Sequence, residues 1–189
     1  ARPEDLIYID EHGLLGGSYY FLNRDKWNIT EGELAKIGIT NDRVQVHKDI
    51  IPFLKAADKK FQERGLRIYI KEGYRSPALY KLVFDKRVDR FGERDTNRLL
   101  NIKDKPHATG RAVDIGLWDT AKREEVLTRS NRDELESLLI GFYKDKTDPK
   151  SKRYQELQEY IISTMLSCGF HMGKLGEYFH FNYFPVADY

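Results

Sequence analysis

Three segments of the chain set metal-type ligands and proton-transfer groups beside glycine: Glu72-Gly73-Tyr74-Arg75-Ser76, Lys105-Pro106-His107-Ala108-Thr109-Gly110-Arg111-Ala112-Val113-Asp114, and Gly176-Glu177-Tyr178-Phe179-His180. His107, Asp114 and His180 together supply the two imidazoles and one carboxylate of a catalytic zinc site, which wants three protein ligands and one open position. Zinc held there would draw the pKa of a water towards about 7 and polarise a carbonyl, while Glu177 would take the water's proton and pass it to a leaving amine. Arg75 presents a rigid donor fork that would either stabilise the oxyanion or fix a substrate carboxylate. The chemistry expected is hydrolysis of a small peptide. Taken singly, each of these residues is more often structural; the ordered combination carries the inference.

The elements must bring the segments together. The seven-position step from His107 to Asp114 suits a histidine on a turn closed by Gly110 and an aspartate inside the next strand, Ala112 to Trp118. There Ala112, Asp114 and Gly116 share one face, and Val113, Ile115 and Leu117 share the other and face the core. An aspartate in an apolar strand is costly unless paired, and a cation would pair it. Glu177 and His180 are three apart, which puts them on opposite faces of a regular strand, so Glu177 is expected in the turn at Gly176.

Residues 1–45 read as an irregular N-terminal wrap. A helix is expected from about His47 to Arg64 on Ile50, Leu54, Ala57 and Phe61, with Gly65 as its stop. Leu66 to Lys71 alternates like a strand, and Ser76-Pro77 opens a helix with Leu79, Leu82 and Val83 inward. This puts Arg75 at a strand-to-helix junction. The charged run Asp85 to Lys105 reads as a solvated helix end and a surface loop. A helix from Ser130 with Leu135, Leu138 and Leu139 inward, a helix from Tyr154 to Cys168 stopped by Gly169, and an aromatic strand from Tyr178 to Phe184, read first as core, complete the chain. Short strands with long loops favour one α+β domain over residues 1–189 rather than a doubly wound parallel sheet, with the motifs carried by residues 66–184.

The 189 residues suffice for one good core. Lys and Arg number 32 against 30 Asp and Glu, so no net field draws in nucleic acid or an anionic membrane. No run reaches the roughly 18 to 20 apolar residues of a membrane span. A soluble protein is expected, cytoplasmic or extracytoplasmic, with its oligomeric state open. Cys168 lies among Met165, Leu166 and Phe170 and reads as a packed thiol. His12 and His47 read as surface residues, His171 as a cap or packing residue at a helix end, and Trp118 as core.

At Gly73-Tyr74-Arg75, at His107 to Asp114 with Gly110 and Ala112 between them, and at Glu177 to His180, the sequence resembles the zinc D-Ala-D-Ala peptidases, in particular the D-alanyl-D-alanine dipeptidases related to the vancomycin-resistance enzymes. Order and spacing agree over roughly Leu66 to Tyr183. The resemblance implies a Hedgehog/DD-peptidase-like α+β domain with a central antiparallel sheet flanked by helices. It also implies one zinc on His107, Asp114 and His180, Glu177 as catalytic base, Arg75 as transition-state stabiliser, and a small peptide or peptidoglycan-derived substrate. Three departures bear on the substrate. Phe179 stands where the family usually has Trp, Lys105 where it often has Ser, and the acidic segment that holds a dipeptide's amino group has no clear match beyond Asp119 and Glu124. A peptidoglycan D,D-carboxypeptidase or endopeptidase, and a metal-binding module of the same fold without catalysis, are the alternatives.

Overall fold

The computed structural model describes residues 1–100 and 105–186. In chain order the strands among these are β1 Leu6–Tyr8, β2 Leu15–Gly16, β3 Gln45–His47, β4 Leu66–Glu72, β5 Ala112–Asp119, β6 Glu124–Val126, β7 His171–Met172 and β8 His180–Asn182. The helices are α1 Tyr19–Leu22, α2 Glu31–Lys36, α3 Ile51–Gln62, α4 Pro77–Phe91, α5 Glu93–Leu99 and α6 Pro149–Ser167. The main sheet runs β2-β4-β5-β8-β7, with β6 also on β5, and β1 pairs with β3 separately.

β5 is the central strand because its alternation suits both neighbours. Val113, Ile115 and Leu117 are buried on one face, where Ile68 and Ile70 of β4 and Phe181 of β8 join them. Against this face pack Leu54, Ala57 and Phe61 of α3 and Leu157, Ile161 and Met165 of α6. The opposite face, bearing Asp114, is left for chemistry. A second core of Tyr20, Trp27, Ile29, Leu34, Leu79, Tyr80 and Val83 joins the N-terminal segment to α4.

One irregularity sets the geometry of the site. In β4 the alternation of Ile68 and Ile70 would carry Glu72 to the core face. A bulge between Ile70 and Glu72 shifts the register so that Ile70 faces Ile115 while Glu72 faces Asp114. Directly paired residues lie on the same side of a sheet, and the extra residue re-aims the strand, so Glu72 comes to the Asp114 face. β8 adds to that face, because Asp114 pairs with His180 and Ala112 with Asn182.

The structure departs from expectation at several elements. The sheet is antiparallel except at β2, which runs parallel to β4, so part of the N-terminal wrap belongs to the sheet. Gly16 permits this contact, since a Cβ there would lie 2.3 Å from the Ile70 carbonyl oxygen. The helix expected from His47 starts at Ile51, because residues 45–47 pair with β1. The helix expected at Ser130 is only a 3-10 turn, Leu135–Leu138. Ser130 instead closes a local turn through its hydroxyl to Arg132 N, an alternative that competes with helix.

The helix expected from Tyr154 begins at Pro149, capped by Asp148, whose carboxylate accepts from Ser151 N at 3.1 Å. The aromatic strand shortens to β8. The charged run is two helices parted at Gly92 (φ +82); the expected surface loop falls on residues 101–104, outside those described. His47 is half-buried and its Nδ1 accepts from Asp49 N, so it is not a free surface residue. His171 lies in β7, exposed and stacked on Phe184. Trp118 is half-buried against Tyr69. Cys168 packs beside the first core. No helix among the described residues is long and apolar enough to cross a membrane.

Candidate metal centre

His107 stands on a short 3-10 turn, Pro106–Thr109, which Gly110 ends in the left-handed region at φ +73. The turn is tied to the first motif by two bonds and to α4 by a third: Arg75 N donates to the His107 carbonyl, His107 Nδ1 lies 2.8 Å from the Gly73 carbonyl oxygen, and His107 N donates to the Tyr80 hydroxyl. Gly73 is required by close approach: a Cβ there would meet the Gln45 carbonyl oxygen at 2.2 Å. Its neighbour Tyr74 donates its amide to that same oxygen.

A carbonyl oxygen only accepts, so His107 Nδ1 carries the hydrogen and the lone pair is on Nε2, 3.3 Å from Asp114 Oδ1. At His180 both ring nitrogens face oxygens: Nε2 lies 2.9 Å from Asn182 Oδ1 and Nδ1 3.0 Å from the same Asp114 oxygen. The carboxylate oxygen only accepts, so the protonated ring donates to both, and once the Nδ1 proton is lost the bond to Asn182 leaves the lone pair on Nδ1. His107 Nε2 and His180 Nδ1 thus converge on one carboxylate oxygen, a set that a cation can join when it displaces that proton. Metal-ligating histidines characteristically donate their other N–H in this way. His107, Asp114 and His180 form a group that can hold a metal ion, with ligand atoms within 4.8 Å of one another.

Ionisation differs between the two histidines. Burial pushes His107 down to about 4 against the pull of Asp114, so its ring is neutral near pH 7. Burial opposes charge on Asp114, but the two histidines outweigh it and hold the carboxyl well below the ordinary range. Burial likewise opposes protonation of His180, and the bond to Asp114 reverses this and raises it.

Glu177 lies in the turn before β8, and its backbone bridges to Leu139. Burial raises its carboxyl to about 7, with Asp114 adding to the effect and His180 opposing it. Among the described residues its carboxylate has no ion-pair partner, so it is free to exchange a proton. Arg75 is 3% exposed. Its Nη2 is 3.8 Å from Asp114 Oδ2 and its Nε 3.6 Å from Glu72 Oε2, and its guanidinium lies 4.7 Å from the Tyr80 ring centroid. Burial pushes Glu72 up to about 7, with Arg75 opposing and Asp114 adding.

All five residues singled out from the sequence line one cleft of about 560 Å³. Glu72, Tyr20, Tyr80 and Arg87 line it too, and Asn182 supports it from behind; none of these was foreseen. Asn182 had a readable signal, because a residue two after a strand histidine shares its face. Asp119 and Glu124, the sequence candidates for holding an amino group, do not line the cleft: Asp119 accepts from Ala121 N and Lys122 N in the β5–β6 turn, and Glu124 is exposed. Besides Glu72, Asp114 and Glu177, the acidic residues that do are Glu125, paired with Lys71 at 3.0 Å, and Asp133, which accepts from the Tyr143 hydroxyl.

No protein-family model and no curated protein matches the chain. Solved structures do. The LD-carboxypeptidase LdcB is 18% identical with a TM-score of 0.47, over 76% of this chain and 60% of that one. A mutant of the vancomycin-resistance D,D-pentapeptidase VanY in complex with Zn(II) is 14% identical with a TM-score of 0.49, over 74% of this chain and 72% of that one. DacB from Streptococcus pneumoniae is 19% identical with a TM-score of 0.41, over 70% and 65%. The chain thus spans 60% of the LdcB structure.

Proposed function

We propose that the protein is a zinc-dependent peptidase that hydrolyses D-Ala-D-Ala or a related D-alanine-containing cell-wall peptide. The observation that carries this reading is the convergence of three ligand atoms, two of them on imidazoles whose other nitrogen is hydrogen-bonded, in one cleft with a carboxylate poised near neutrality. Borderline nitrogen and oxygen donors in a set of three suit zinc. Bound there, zinc supplies acidification of a water and polarisation of the scissile carbonyl.

The chain's own residues do the rest. Glu177 takes a proton from the attacking water and returns it to the amine as the carbon–nitrogen bond breaks, leaving a carboxylate and an amine. Arg75, locked by Glu72, Asp114 and the Tyr80 ring, turns its donors towards the oxyanion. A binding module without turnover would have no use for a base at this position.

A second reading, a carboxypeptidase or endopeptidase acting on peptidoglycan stems, is favoured by cleft size. About 560 Å³ falls in the range of drug-sized ligand sites, roughly 300–1,000 Å³, and exceeds what a dipeptide fills. Hydrolysis of free D-Ala-D-Ala beside an N-acylated version separates the two: cleavage of the acylated peptide alone would exclude the dipeptidase reading. Glu177→Gln should keep one zinc per chain and lose at least about 100-fold in kcat. A fully active variant would refute the assigned role.

A further inference from the structure

We propose that Arg87 is the anchor for the carboxylate at the C-terminal end of the substrate, which makes this peptidase act on peptides whose last residue is unblocked. The inference rests on the peptidase reading above and deepens it.

Arg87 stands on α4 two turns beyond Tyr80, on the same face, and lines the cleft. Its Nη2 donates to the Tyr20 hydroxyl, and the guanidinium lies 5.1 Å from the Trp27 ring centroid and 5.7 Å from that of Tyr20. Nε is buried and has no hydrogen-bond partner. Among the described residues no carboxylate lies within ion-pair distance of it, whereas Lys86 beside it pairs with Glu33 at 3.3 Å. A guanidinium set beside two aromatic rings, with a donor left unpartnered, is suited to take a carboxylate.

Position points the same way. Arg87 is close enough to Glu177 to act on its charge, and it shares the Tyr20 ring with Arg75, whose guanidinium is 5.3 Å from the same centroid. With the scissile carbonyl at Arg75, the proposal runs the substrate towards that shared ring, so that a carboxylate one residue further on, roughly 3.5 Å along the chain, approaches Arg87. Beyond Arg75, the other cations of the cleft are worse candidates: Lys71 is paired with Glu125, Arg129 Nε donates to Ser137, and Lys26 and Arg90 are exposed over the Trp27 ring.

The test uses the zinc-loaded full chain with D-alanyl-D-alanine and its C-terminal amide, read by calorimetric binding and by hydrolysis. The parent should bind and cleave the acid at least about tenfold better than the amide, as expected for a charge-assisted bond. Arg87→Met should raise KM for the acid by about 10–100-fold with kcat little changed and the amide unaffected. Arg87→Lys, which keeps the stem and the charge, should recover part of the preference; it carries the test if the Met variant fails to hold zinc. An unchanged acid-to-amide ratio in Arg87→Met, identical behaviour of the Lys and Met variants, or a parent that binds neither ligand would overturn the assignment. Hydrolysis without carboxylate preference would leave the peptidase reading standing and remove Arg87. Preferential binding of the acid with no hydrolysis of either would do the reverse.

Discussion

Asn182→Leu should weaken zinc binding while barely touching the metal-free fold. Asn182 is fully buried, and its Oδ1 sits 2.9 Å from His180 Nε2. Leucine has nearly the same shape and offers no acceptor. If the imidazole keeps its tautomer, the buried Nε2–H is left without a partner, at a cost of about 1–3 kcal/mol. If it switches, Nδ1–H donates to Asp114 Oδ1, 3.0 Å away, and that bond must be undone before a metal can bind. The metal-free ring can take the second course and the metal-bound ring cannot, so the cost falls on the metal-loaded state. At about 1.4 kcal/mol per tenfold, zinc affinity should drop roughly 10–100-fold, the range seen when a ligand's outer partner is removed. Competition against a chromophoric chelator at pH 8 gives Kd, and thermal melts with and without metal give the two stabilities. The metal-free Tm should move by less than about 4 °C. A Kd within twofold of the parent's, or equal destabilisation of both states, would refute the tautomer argument.

The base must be ionised to work, so kcat/KM should fall as pH falls. The acid limb should lie between the ordinary glutamate value of 4.5 and about 7, since a bound cation draws the carboxyl back down; a pH profile flat to below 4.5 would contradict this. Near pH 6.5 zinc binding should release protons mainly from His180, whose affinity for a proton is raised, and not from His107, already neutral above about 4. Calorimetry in buffers of different ionisation enthalpy counts those protons, and release of two would sink the assignment. Gly73→Ala should cost about 1–3 kcal/mol of stability through overpacking and lower zinc affinity, because its Cβ would meet Gln45 O at 2.2 Å and displace the carbonyl that holds His107. An unchanged Tm and Kd would show that the loop yields freely.

What the sequence disclosed was whatever depended on period and local stops. The buried stripe of α3, the Ser76-Pro77 start of α4 and the two-faced character of β5 all follow from spacing. The placement of Glu177 in a turn followed from its odd offset to His180. What escaped depended on pairing across the sheet. Nothing in Leu66–Glu72 alone announces a bulge, so the face of Glu72 was unreadable, as was the parallel attachment of β2. The charged run beyond Asp85 was taken as solvated because charge usually is; Arg87 turns inward only because Tyr20 and Trp27 come from a distant part of the chain to meet it. Asp148-Pro149 was a legible helix start that the aromatic Tyr154 obscured.

The pairing of β8 with β5 has a consequence for the order of events in folding. Ala112–Asp114 faces His180–Asn182 across more than sixty residues of intervening chain, so the three ligand atoms cannot gather until that long-range pairing has closed. Such closures are slow. A partly folded chain, with α3 already packed on β4, would offer only His107 and Asp114 and hold metal weakly. Metal capture should therefore coincide with closure of the β5–β8 pairing and act as a latch on it, so that added zinc slows unfolding far more than it speeds refolding.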